Sequence, residues 1–450
     1  MFDAVLIANR GEIALRILRA CRKLGLRAVA AYSEADRDAA YIALADDAIC
    51  IGPAPAAASY RNSAALLSAA LATGAGAIHP GYGFLAENAA FAEQATAAGL
   101  VFIGPPTAAI RTMGDKIAAK AAMIAAGVPC VPGSPDRLPD DPAEVARIAD
   151  DIGYPVIVKA AGGGGGRGMR IVRERSELAD AVGLTRQEAT QAFGNPDLYL
   201  ERFLEKPRHV EIQVLCDNYG AALWLGARDC SLQRRHQKIV EEAPPPGISP
   251  AHIAIIGDKC AQACKRIGYR GAGTFEFLYE DGLFAFIEMN TRLQVEHPVT
   301  EMTTGIDIVA EQIRIAQGHA LTFGQSDILA AGHAIEVRVN AEDPETFAAS
   351  PGRITQWLPP GGPGIRVDSH LHAGARVPPH YDSLVAKIVS HGATRGEALR
   401  RLQQALAETN LEGISSNLPL LRWVLEDSTV SAGGFDIHHL ERLLAERRHG

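Results

Sequence analysis

Short apolar runs alternate with segments of helical periodicity through the first hundred residues. Apolar residues recur at helical spacing from Ile13 to Leu24, while Arg16 and Arg19 fall on other faces of the predicted helix. This alternation is typical of a doubly wound parallel sheet with helices on both sides. The runs predicted to be its strands are Val5–Ala8, Ala28–Ala31, Ile49–Ile51, Ala77–His79 and Val101–Ile103.

A compact unit is predicted beyond a proline-rich stretch. Pro105 and Pro106 interrupt the first pattern, a helix is predicted over Asp115–Ala126, and the prolines between 129 and 142 indicate a linker. We interpret residues 156–201 as a small inserted module. Its predicted elements are strand Val156–Lys159, a glycine loop, strand Met169–Val172, helix Ser176–Ala192 and strand Tyr199–Glu201.

From His209 onward the pattern is richer in strands, and Glu397–Glu408 adds a late amphipathic helix. The chain is therefore predicted to be a multidomain protein of mixed α/β and α+β class. The strands predicted in this part are Val210–Leu215, Ala221–Leu225, Thr274–Tyr279, Phe284–Met289 and Ala334–Val339.

Composition and charge narrow the classes of function. A length of 450 residues suggests about three domains at roughly 150 residues each. Lys and Arg number 44 and Asp and Glu 52, so the net charge of −8 argues against nucleic-acid binding. The seven cysteines are odd in number and form no C-x-x-C pair, which argues against a disulfide framework or structural zinc site and favours a reducing cytosol.

Membrane insertion is not expected. The N-terminus has no signal-peptide layout. The run 62–86 contains no charged residue, but it is mostly alanine and is interrupted by Gly74, Gly76, Pro80 and Gly81, so it is too weakly apolar to span a bilayer. These observations predict a cytoplasmic protein.

The glycine loop is the strongest local signal for chemistry. Lys159 ends a predicted strand, five consecutive glycines occupy 162–166, and a second strand begins at Met169. Each ordered glycine costs about 0.5–1 kcal/mol relative to alanine, so the run needs a compensating reason. Bare backbone N–H groups that close over phosphates supply one. The pattern is neither a Walker A loop nor a dinucleotide-binding loop. The alternative is a flexible surface hairpin.

A predicted hairpin around the Asp-Gly turn at 281–282 carries polar residues among aromatic ones. A plain two-residue turn would place Glu276 opposite Ile287, whereas a one-residue bulge at the turn glycine would bring Glu276 and Glu288 onto one side. Together with Asn290, these carboxylates offer the oxygen ligands that Mg²⁺ or Mn²⁺ prefers. The alternative is an exposed strand whose polar side chains face water.

Arg292, Gln294 and Glu296 alternate directly after this hairpin, so an extended chain would point all three in one direction. An arginine can hold a planar oxyanion through two hydrogen bonds, and Glu296 could accept a proton from that anion. The alternative is a surface strand edge. The odd position of His297 and the following Pro298 favour a structural role for this histidine.

Basic residues concentrate at Glu201–Glu211 and again at Arg228–Lys238, which indicates an anion site inside an acidic protein. Cys230 lies within the second segment. A buried free thiol is a more frequent arrangement than a nucleophile, so we interpret Cys230 as structural.

Five segments together resemble biotin carboxylase, the ATP-grasp subunit or domain of biotin-dependent carboxylases. They are Ile7–Ala14, His79–Phe84, Lys159–Met169, Arg228–Lys238 and Phe286–Pro298. The resemblance covers residues from about 2 to about 440. It implies an N-terminal doubly wound parallel-sheet domain (1–103) and a helical connector (104–130), followed by an ATP-grasp fold. The mobile lid domain of that fold, with the glycine loop, is 131–203, and the catalytic domain is 204–450 with a strand-rich C-terminal part (about 331–440).

The resemblance implies ATP-dependent carboxylation of biotin by bicarbonate through carboxyphosphate, with ATP, two Mg²⁺ or Mn²⁺ ions and carrier-bound biotin. The nucleotide contacts it implies are Lys116, Lys159, Gly165, Gly166, Met169, Glu201, Arg202, Phe203, Leu204, His209, Gln233, His236, Glu276, Leu278, Glu288 and Ile437. The implied metal ligands are Glu276, Glu288 and Asn290. The implied bicarbonate pocket is Lys238, Arg292, Gln294, Val295 and Glu296, with Glu296 as general base. Arg338 and Tyr82 are the implied biotin contacts, and Arg292, Arg338 and Lys238 the catalytic residues besides Glu296.

The resemblance also implies partners. A Met-Lys dipeptide of the biotin-carrying kind does not occur in the sequence, so we expect a separate biotin carboxyl carrier protein and carboxyltransferase subunits, as in acetyl-CoA carboxylase and fatty acid biosynthesis. A homodimer is expected through a contact that includes Arg19 and Arg366. Lys23 and Pro363 depart from the acidic and aromatic residues typical of that contact, which puts its details in question.

Three alternatives stay open. The chain could serve a propionyl-CoA, pyruvate or other acyl-CoA carboxylase. It could be another ATP-grasp ligase that joins a carboxylate to an amine. It could also be a nucleotide-binding scaffold that has kept the fold without the chemistry, although the combination of Lys238, Arg292, Glu296 and Arg338 argues against a scaffold.

Overall fold

The computed structural model describes residues 2–162 and 168–449. Its N-terminal part is a five-stranded parallel sheet in the order β3-β2-β1-β4-β5, which confirms the predicted doubly wound class. The strands are β1 (Ala4–Ile7), β2 (Arg27–Tyr32), β3 (Asp47–Cys50), β4 (Ala77–His79) and β5 (Val101–Phe102), and the helices are α1 (Gly11–Lys23), α2 (Ala40–Leu44), α3 (Ser63–Ala72) and α4 (Ala89–Ala97).

The carboxyl ends of the central strands β1 and β4 are joined by one side chain. Asn9, just after β1, donates from Nδ2 to the carbonyl oxygens of Pro80 and Tyr82, both at 2.7 Å. Gly11 then starts α1 with φ +70°, a backbone conformation that favours glycine. The loop that carries Tyr82 is therefore fixed at the same sheet edge as the start of α1.

Two helices connect this sheet to the inserted module, α5 (Thr107–Gly114) and α6 (Lys116–Ala125). Asp115 caps α6 by accepting from the backbone of Ile117 and Ala118. The predicted linker is shorter than expected because Pro142 starts a helix, the position where proline is tolerated. The module is an antiparallel sheet in the order β7-β6-β8 with two helices: α7 (Pro142–Ile152), β6 (Val156–Ala160), β7 (Met169–Val172), α8 (Leu178–Phe193) and β8 (Leu198–Arg202).

An eight-stranded antiparallel sheet comes next along the chain, in the order β13-β12-β9-β10-β11-β14-β19-β17. Its first strands and their helices are β9 (Arg208–Cys216), β10 (Ala222–Arg234), β11 (Gln237–Ala243), α9 (Pro250–Ile267), β12 (Gly271–Glu280), β13 (Leu283–Asn290), α10 (His297–Thr304) and α11 (Ile308–Ala316). The predicted strand Ala221–Leu225 is too short. β10 continues through Arg228 and Asp229, which are buried and paired, and such charged residues hide a strand from a hydrophobicity pattern.

The C-terminal part completes this sheet and adds two small two-stranded sheets. Its elements are β14 (His333–Asn340), β15 (Gly352–Arg353), β16 (Gln356–Leu358), β17 (Ile365–Ser369), β18 (Arg376–Val377), β19 (Leu384–Gly392), α12 (Arg395–Glu408), β20 (Asn410–Glu412), α13 (Leu418–Val424), α14 (Ser428–Ala432) and α15 (His439–His449). The apolar face of α12 packs on β14 and β19 through Leu402 and Leu406. Within residues 2–162 and 168–449, every helix is either too short or too polar to span a lipid bilayer.

Candidate active site

The hairpin β12–β13 places two carboxylates side by side. Glu276 lies directly opposite Glu288, as the bulged register predicted. The predicted position of the bulge is wrong: the register shifts at Ile287 and not at Gly282. Asp281 and Gly282 both adopt positive φ, +49° and +82°, which makes a regular two-residue turn, so the extra residue is accommodated further along the strand.

Lys238 on β11 lies among three buried carboxylates. Its Nζ donates to Glu211 Oε2 at 2.7 Å, to Glu276 Oε1 at 2.9 Å and to Glu296 Oε1 at 2.6 Å. Burial would lower the pKa of Lys238, but the carboxylates of Glu211, Glu276 and Glu296 raise it well above its usual value. The ammonium is therefore charged at neutral pH and ties the hairpin to Glu296.

Glu296 reaches this cluster by a different route from the one predicted. The chain after Arg292 is not an extended strand; it turns, and Glu296 lies at the first residue before α10 with φ −80° and ψ 10°. Its Oε2 accepts from Arg338 Nη2 at 2.9 Å. Burial alone would raise the pKa of Glu296, but Lys238 and Arg338 help to hold it below its usual value. Glu296 is therefore a buried, ionised carboxylate between two cations.

Arg292 and Gln294 do face the same way. Arg292 donates from Nη1 to Gln294 Oε1 at 2.8 Å and from Nη2 to Asn290 Oδ1 at 2.6 Å. Its Nε donates to Glu87 Oε2 at 2.8 Å, and Glu87 also accepts from the backbone of Thr291 at 3.0 Å. Glu87 comes from the N-terminal part, and its role cannot be read from a local motif.

Two further buried carboxylates lie behind Arg338. Glu241 on β11 and Glu336 on β14 are directly opposite each other, and both are fully buried. Glu241 Oε1 accepts from Arg338 Nε at 2.5 Å. Burial raises the pKa of both carboxyl groups. Two facing carboxylates in such a place cannot both ionise without a large cost, so we expect the pair to retain a proton.

Away from Glu296 and Arg338, Glu201 on β8 accepts hydrogen bonds from two lysines. Lys159 Nζ lies 2.6 Å from Glu201 Oε2, and Lys120 Nζ lies 3.0 Å from Oε1. Lys116 and Lys120 are one helical turn apart on α6, a spacing that could have identified Lys120 from the sequence. His209 lies between these two groups of residues: burial would lower its pKa, but Glu276 raises it to about 9.

The sequence indicates Arg228 only as part of a basic segment. The structure makes it a fully buried anchor, donating to Glu211 Oε1 at 2.5 Å, Gln213 Oε1 at 2.8 Å and Thr300 Oγ1 at 2.9 Å. It thereby fixes the carboxylate that faces Lys238. Cys230 is buried and its pKa is raised well above the usual value by burial, which agrees with a structural thiol.

A cavity of about 930 Å³ runs from Glu201 at one end to Arg338 at the other. Every site residue that the resemblance implied and the structure describes lines it, apart from Glu296, which lies just behind Lys238 and Arg338. Gly165 and Gly166 fall outside the described residues. The lining residues are Tyr82, Lys116, Lys159, Met169, Glu201, Arg202, Phe203, Leu204, His209, Gln233, His236, Lys238, Glu276, Leu278, Glu288, Asn290, Arg292, Gln294, Val295, Arg338 and Ile437.

The donor set on the hairpin fits a hard divalent cation. Glu276, Glu288 and Asn290 offer two carboxylates and one amide oxygen at the cavity wall. The Glu288 side chain is 42% exposed, with its Oε2 3.6 Å from Lys116 Nζ, so it is accessible to a ligand. These are the residues that would hold Mg²⁺ or Mn²⁺.

Three models of known protein families match most of the chain. Residues 1–110 match the model for the biotin carboxylase N-terminal domain, 115–323 the ATP-binding domain of the carbamoyl-phosphate synthase L chain, and 336–442 the biotin carboxylase C-terminal domain. The fold and the charged cavity thus define an ATP-grasp ligase.

The similarity to individual proteins extends over the full length. The chain is 59% identical over 444 residues to a biotin carboxylase of Allochromatium vinosum, covering 99% of each chain. It superposes with a TM-score of 0.94 at 45% identity on the biotin carboxylase beta-gamma-ATP complex from Campylobacter jejuni, covering 98% of this chain and 99% of that chain. The chain belongs to the biotin carboxylase family.

A third match concerns a different acceptor. The biotin carboxylase domain of Hydrogenobacter thermophilus 2-oxoglutarate carboxylase, a dimer in complex with MgADP, ADP and bicarbonate, superposes with a TM-score of 0.93 at 48% identity, covering 98% of each chain. Membership of the family is therefore compatible with more than one carboxylase complex.

Proposed function

We propose that the chain carboxylates biotin on a separate carrier protein, using ATP and bicarbonate. The observation that supports this most is the position of Glu296 between Lys238 and Arg338. Lys238 also binds Glu276 of the hairpin β12–β13, and Arg338 lines the same cavity as Tyr82. A carbonate species, the terminal phosphate and the biotin ureido ring would meet there.

The first chemical step uses Glu296 as the base. Bicarbonate, held by Arg292 and Lys238, gives its proton to Glu296, and its oxygen attacks the γ-phosphorus of ATP. Carboxyphosphate forms and ADP leaves. A divalent cation on Glu276, Glu288 and Asn290 would neutralise phosphate charge during this transfer.

The second step carboxylates biotin. Carboxyphosphate breaks into CO₂ and phosphate, the phosphate removes the proton from the ureido nitrogen, and that nitrogen attacks CO₂. Arg338 stabilises the oxyanion of the deprotonated ureido group. Its Nη2 donates to Glu296 in the structure. Once Glu296 is protonated by the first step, this attraction weakens, so Arg338 becomes available at the moment when the ureido oxygen gains charge.

The nucleotide spans the rest of the cavity. We place its phosphates near Lys116, Lys159 and His209. The pKa of about 9 keeps the His209 ring cationic at neutral pH. We place the adenine ring against Glu201–Leu204, Leu278 and Ile437. In this arrangement residues 131–203 form the lid domain, residues 1–103 the N-terminal domain joined by a connector over 104–130, and residues 204–450 the catalytic domain.

Phosphate release tests this proposal directly. We expect release that requires bicarbonate and Mg²⁺ and that free biotin stimulates several-fold. A scaffold would release no phosphate, and an amine ligase would require an amine co-substrate and ignore biotin. Either result would overturn the proposed reaction.

We further propose that the chain is the biotin carboxylase subunit of a cytoplasmic acetyl-CoA carboxylase. The seven cysteines are all free thiols, five of them buried, which fits a reducing compartment. The carrier and carboxyltransferase would be separate subunits. Purification from the native source, with identification of the co-purifying biotinylated protein and its transferase, would distinguish this complex from a pyruvate, propionyl-CoA or 2-oxoglutarate carboxylase.

A homodimer is proposed through the surface around Arg19 and Arg366. In the structure Arg366 donates to Glu301 at 2.7 Å, and Lys23 Nζ lies 3.0 Å from Asp307 Oδ2. Lys23 is thus engaged within its own chain, which supports a contact that works without an acidic residue at position 23. Sedimentation velocity should give a dimer, and a monomer at micromolar concentration would contradict the proposal.

A further inference from the structure

A buried lysine lies behind the catalytic cavity. Lys387 on β19 is fully buried and is directly opposite Arg338 of β14. Its neighbours along the strand, Ala386 and Ile388, face the other side of the sheet and pack in the apolar core, whereas Asp368 of β17 lies directly opposite Lys387 on its second side. An aliphatic side chain would fill such a sheet position without the desolvation cost of an ammonium, so the charge itself calls for a reason.

The ammonium of Lys387 contacts segments from distant parts of the chain. Nζ donates to the carbonyl oxygen of Val295 at 2.8 Å, and it lies 3.2 Å from Glu12 Oε1. Asp368 on β17 is 4.0 Å away. The first contact fixes the loop that precedes α10, and the second fixes the first turn of α1.

Glu12 links Lys387 to Tyr82, the proposed biotin contact in the cavity. The hydroxyl of Tyr82 donates to Glu12 Oε1, the same oxygen that faces Lys387. Glu12 is buried, and its Oε2 has no hydrogen-bond partner among the described residues. Tyr82 and Val295 both line the cavity.

The other charged groups around Lys387 make no hydrogen bond to Val295, Glu12 or Tyr82 within residues 2–162 and 168–449. Glu336 on β14 and Arg366 on β17 act on the lysine through their charge, and Arg366 is occupied by Asp368 and Glu301. The contacts that join Lys387 to the cavity wall are therefore those to Val295 and Glu12.

We propose that Lys387 is a positioning residue. It holds the loop that contains Val295, in the proposed bicarbonate pocket, at a constant distance from Tyr82, the proposed biotin contact. One ammonium group holds the Val295 carbonyl directly and the Tyr82 hydroxyl through Glu12. The proposal rests on the proposed function. It adds that two substrate pockets formed by separate parts of the chain are aligned by a single cation outside the cavity.

The test is steady-state kinetics of Lys387→Met, which preserves side-chain length and removes the charge. Loss of a hydrogen bond from a charged donor predicts an increase of about 10-fold or more in the KM for bicarbonate and in the KM for biotin. The KM for ATP should stay within about twofold, because the ATP contacts lie elsewhere in the cavity. A merely structural lesion would move all three values together.

Two further variants distinguish the contact of Lys387 with Val295 from its contact with Tyr82 through Glu12. Glu12→Gln should raise the KM for biotin and leave that for bicarbonate near the wild-type value. In Lys387→Met/Tyr82→Phe the KM for biotin should rise no further than in the more affected single variant, because both substitutions act on one chain of contacts. Asp368→Asn is the matched control: it removes a buried carboxylate near Lys387 that touches neither Val295 nor Tyr82, so both KM values should hold.

The outcomes distinguish this proposal from the proposed function. Wild-type protein without biotin-stimulated phosphate release would overturn both. An active wild type with unchanged bicarbonate and biotin KM values in Lys387→Met would overturn the positioning role alone, as would a change in only one of them. If Lys387→Met fails to fold, an unchanged KM for biotin in folded Glu12→Gln gives the same refutation.

Discussion

Glu296→Gln is the sharpest test of the proposed chemistry, because the substitution removes the base while keeping the shape of the side chain. Glu296 is fully buried, with Oε1 2.6 Å from Lys238 Nζ and Oε2 2.9 Å from Arg338 Nη2. Its depressed pKa means that the carboxylate is ready to accept a proton at neutral pH. Glutamine cannot take that proton, so bicarbonate would have to lose it to water.

The expected effect on the rate is large and the expected effect on folding is smaller. A positioned base contributes about 10²–10⁴-fold, which corresponds to a barrier increase of about 3–5 kcal/mol. The two cations keep other partners: Lys238 retains Glu211 and Glu276, and Arg338 retains Glu241. The variant should therefore fold and bind ATP with nearly the wild-type KM.

The assay is biotin-dependent phosphate release at saturating ATP, together with thermal unfolding of the same preparations. Glu242→Gln is the matched control, since Glu242 is another buried carboxylate of β11 but pairs with His333 and Arg395 away from the cavity. It should lose stability and keep its rate. A folded Glu296→Gln protein with a rate within about 10-fold of wild type would refute the assignment of the base.

Two other variants test the geometry of the cavity, and a third tests an ion pair outside it. Glu288→Gln should raise the Mg²⁺ concentration for half-maximal rate by about 10-fold. Because the side chain is 42% exposed, the free energy of unfolding should change by less than about 0.5 kcal/mol. A metal titration that matches wild type would exclude Glu288 as a ligand. Lys159→Gln should raise the KM for ATP by about 10-fold or more, and an unchanged KM would remove Lys159 from the nucleotide site. Burial would raise the pKa of Asp307, but Arg16 and Lys23 help to lower it from 3.8 to about 2. The ionised carboxylate therefore stabilises the fold above pH 4, and this contribution is lost as the pH falls through about 2. Asp307→Asn should therefore destabilise by about 1–2 kcal/mol at pH 7 and by only a small fraction of that at pH 2, where the folded-state carboxyl is half protonated. The measurement is denaturant unfolding at one protein concentration, and a pH-independent difference would contradict this origin.

Local pattern was sufficient wherever a segment is stabilised by its own neighbours. The alternating apolar runs predicted the parallel sheet, and the Asp-Gly turn predicted the hairpin. The turn did not determine the register, because the bulge that places Glu276 opposite Glu288 lies at Ile287, away from the turn. Pattern failed where burial and charge coincide. β10 extends to Arg234 because Arg228 and its buried partners continue the ladder, and hydrophobicity cannot indicate a strand made of paired ions. It also failed at Glu296, where a turn replaced the extended chain that alternation suggests.

By itself, the sequence determined the order of the elements, the residue types available for phosphate, metal and carbonate chemistry, and the family to which those motifs point. Only the tertiary structure decided which charges meet. Lys387 lies 375 positions from Glu12 in the numbering and 92 from Val295, and Glu87 lies 205 from Arg292. Such pairs have no local periodicity, because each partner is selected by the packing of separate sheets. A buried charge is stable only where that packing brings its counter-ion within a few ångströms.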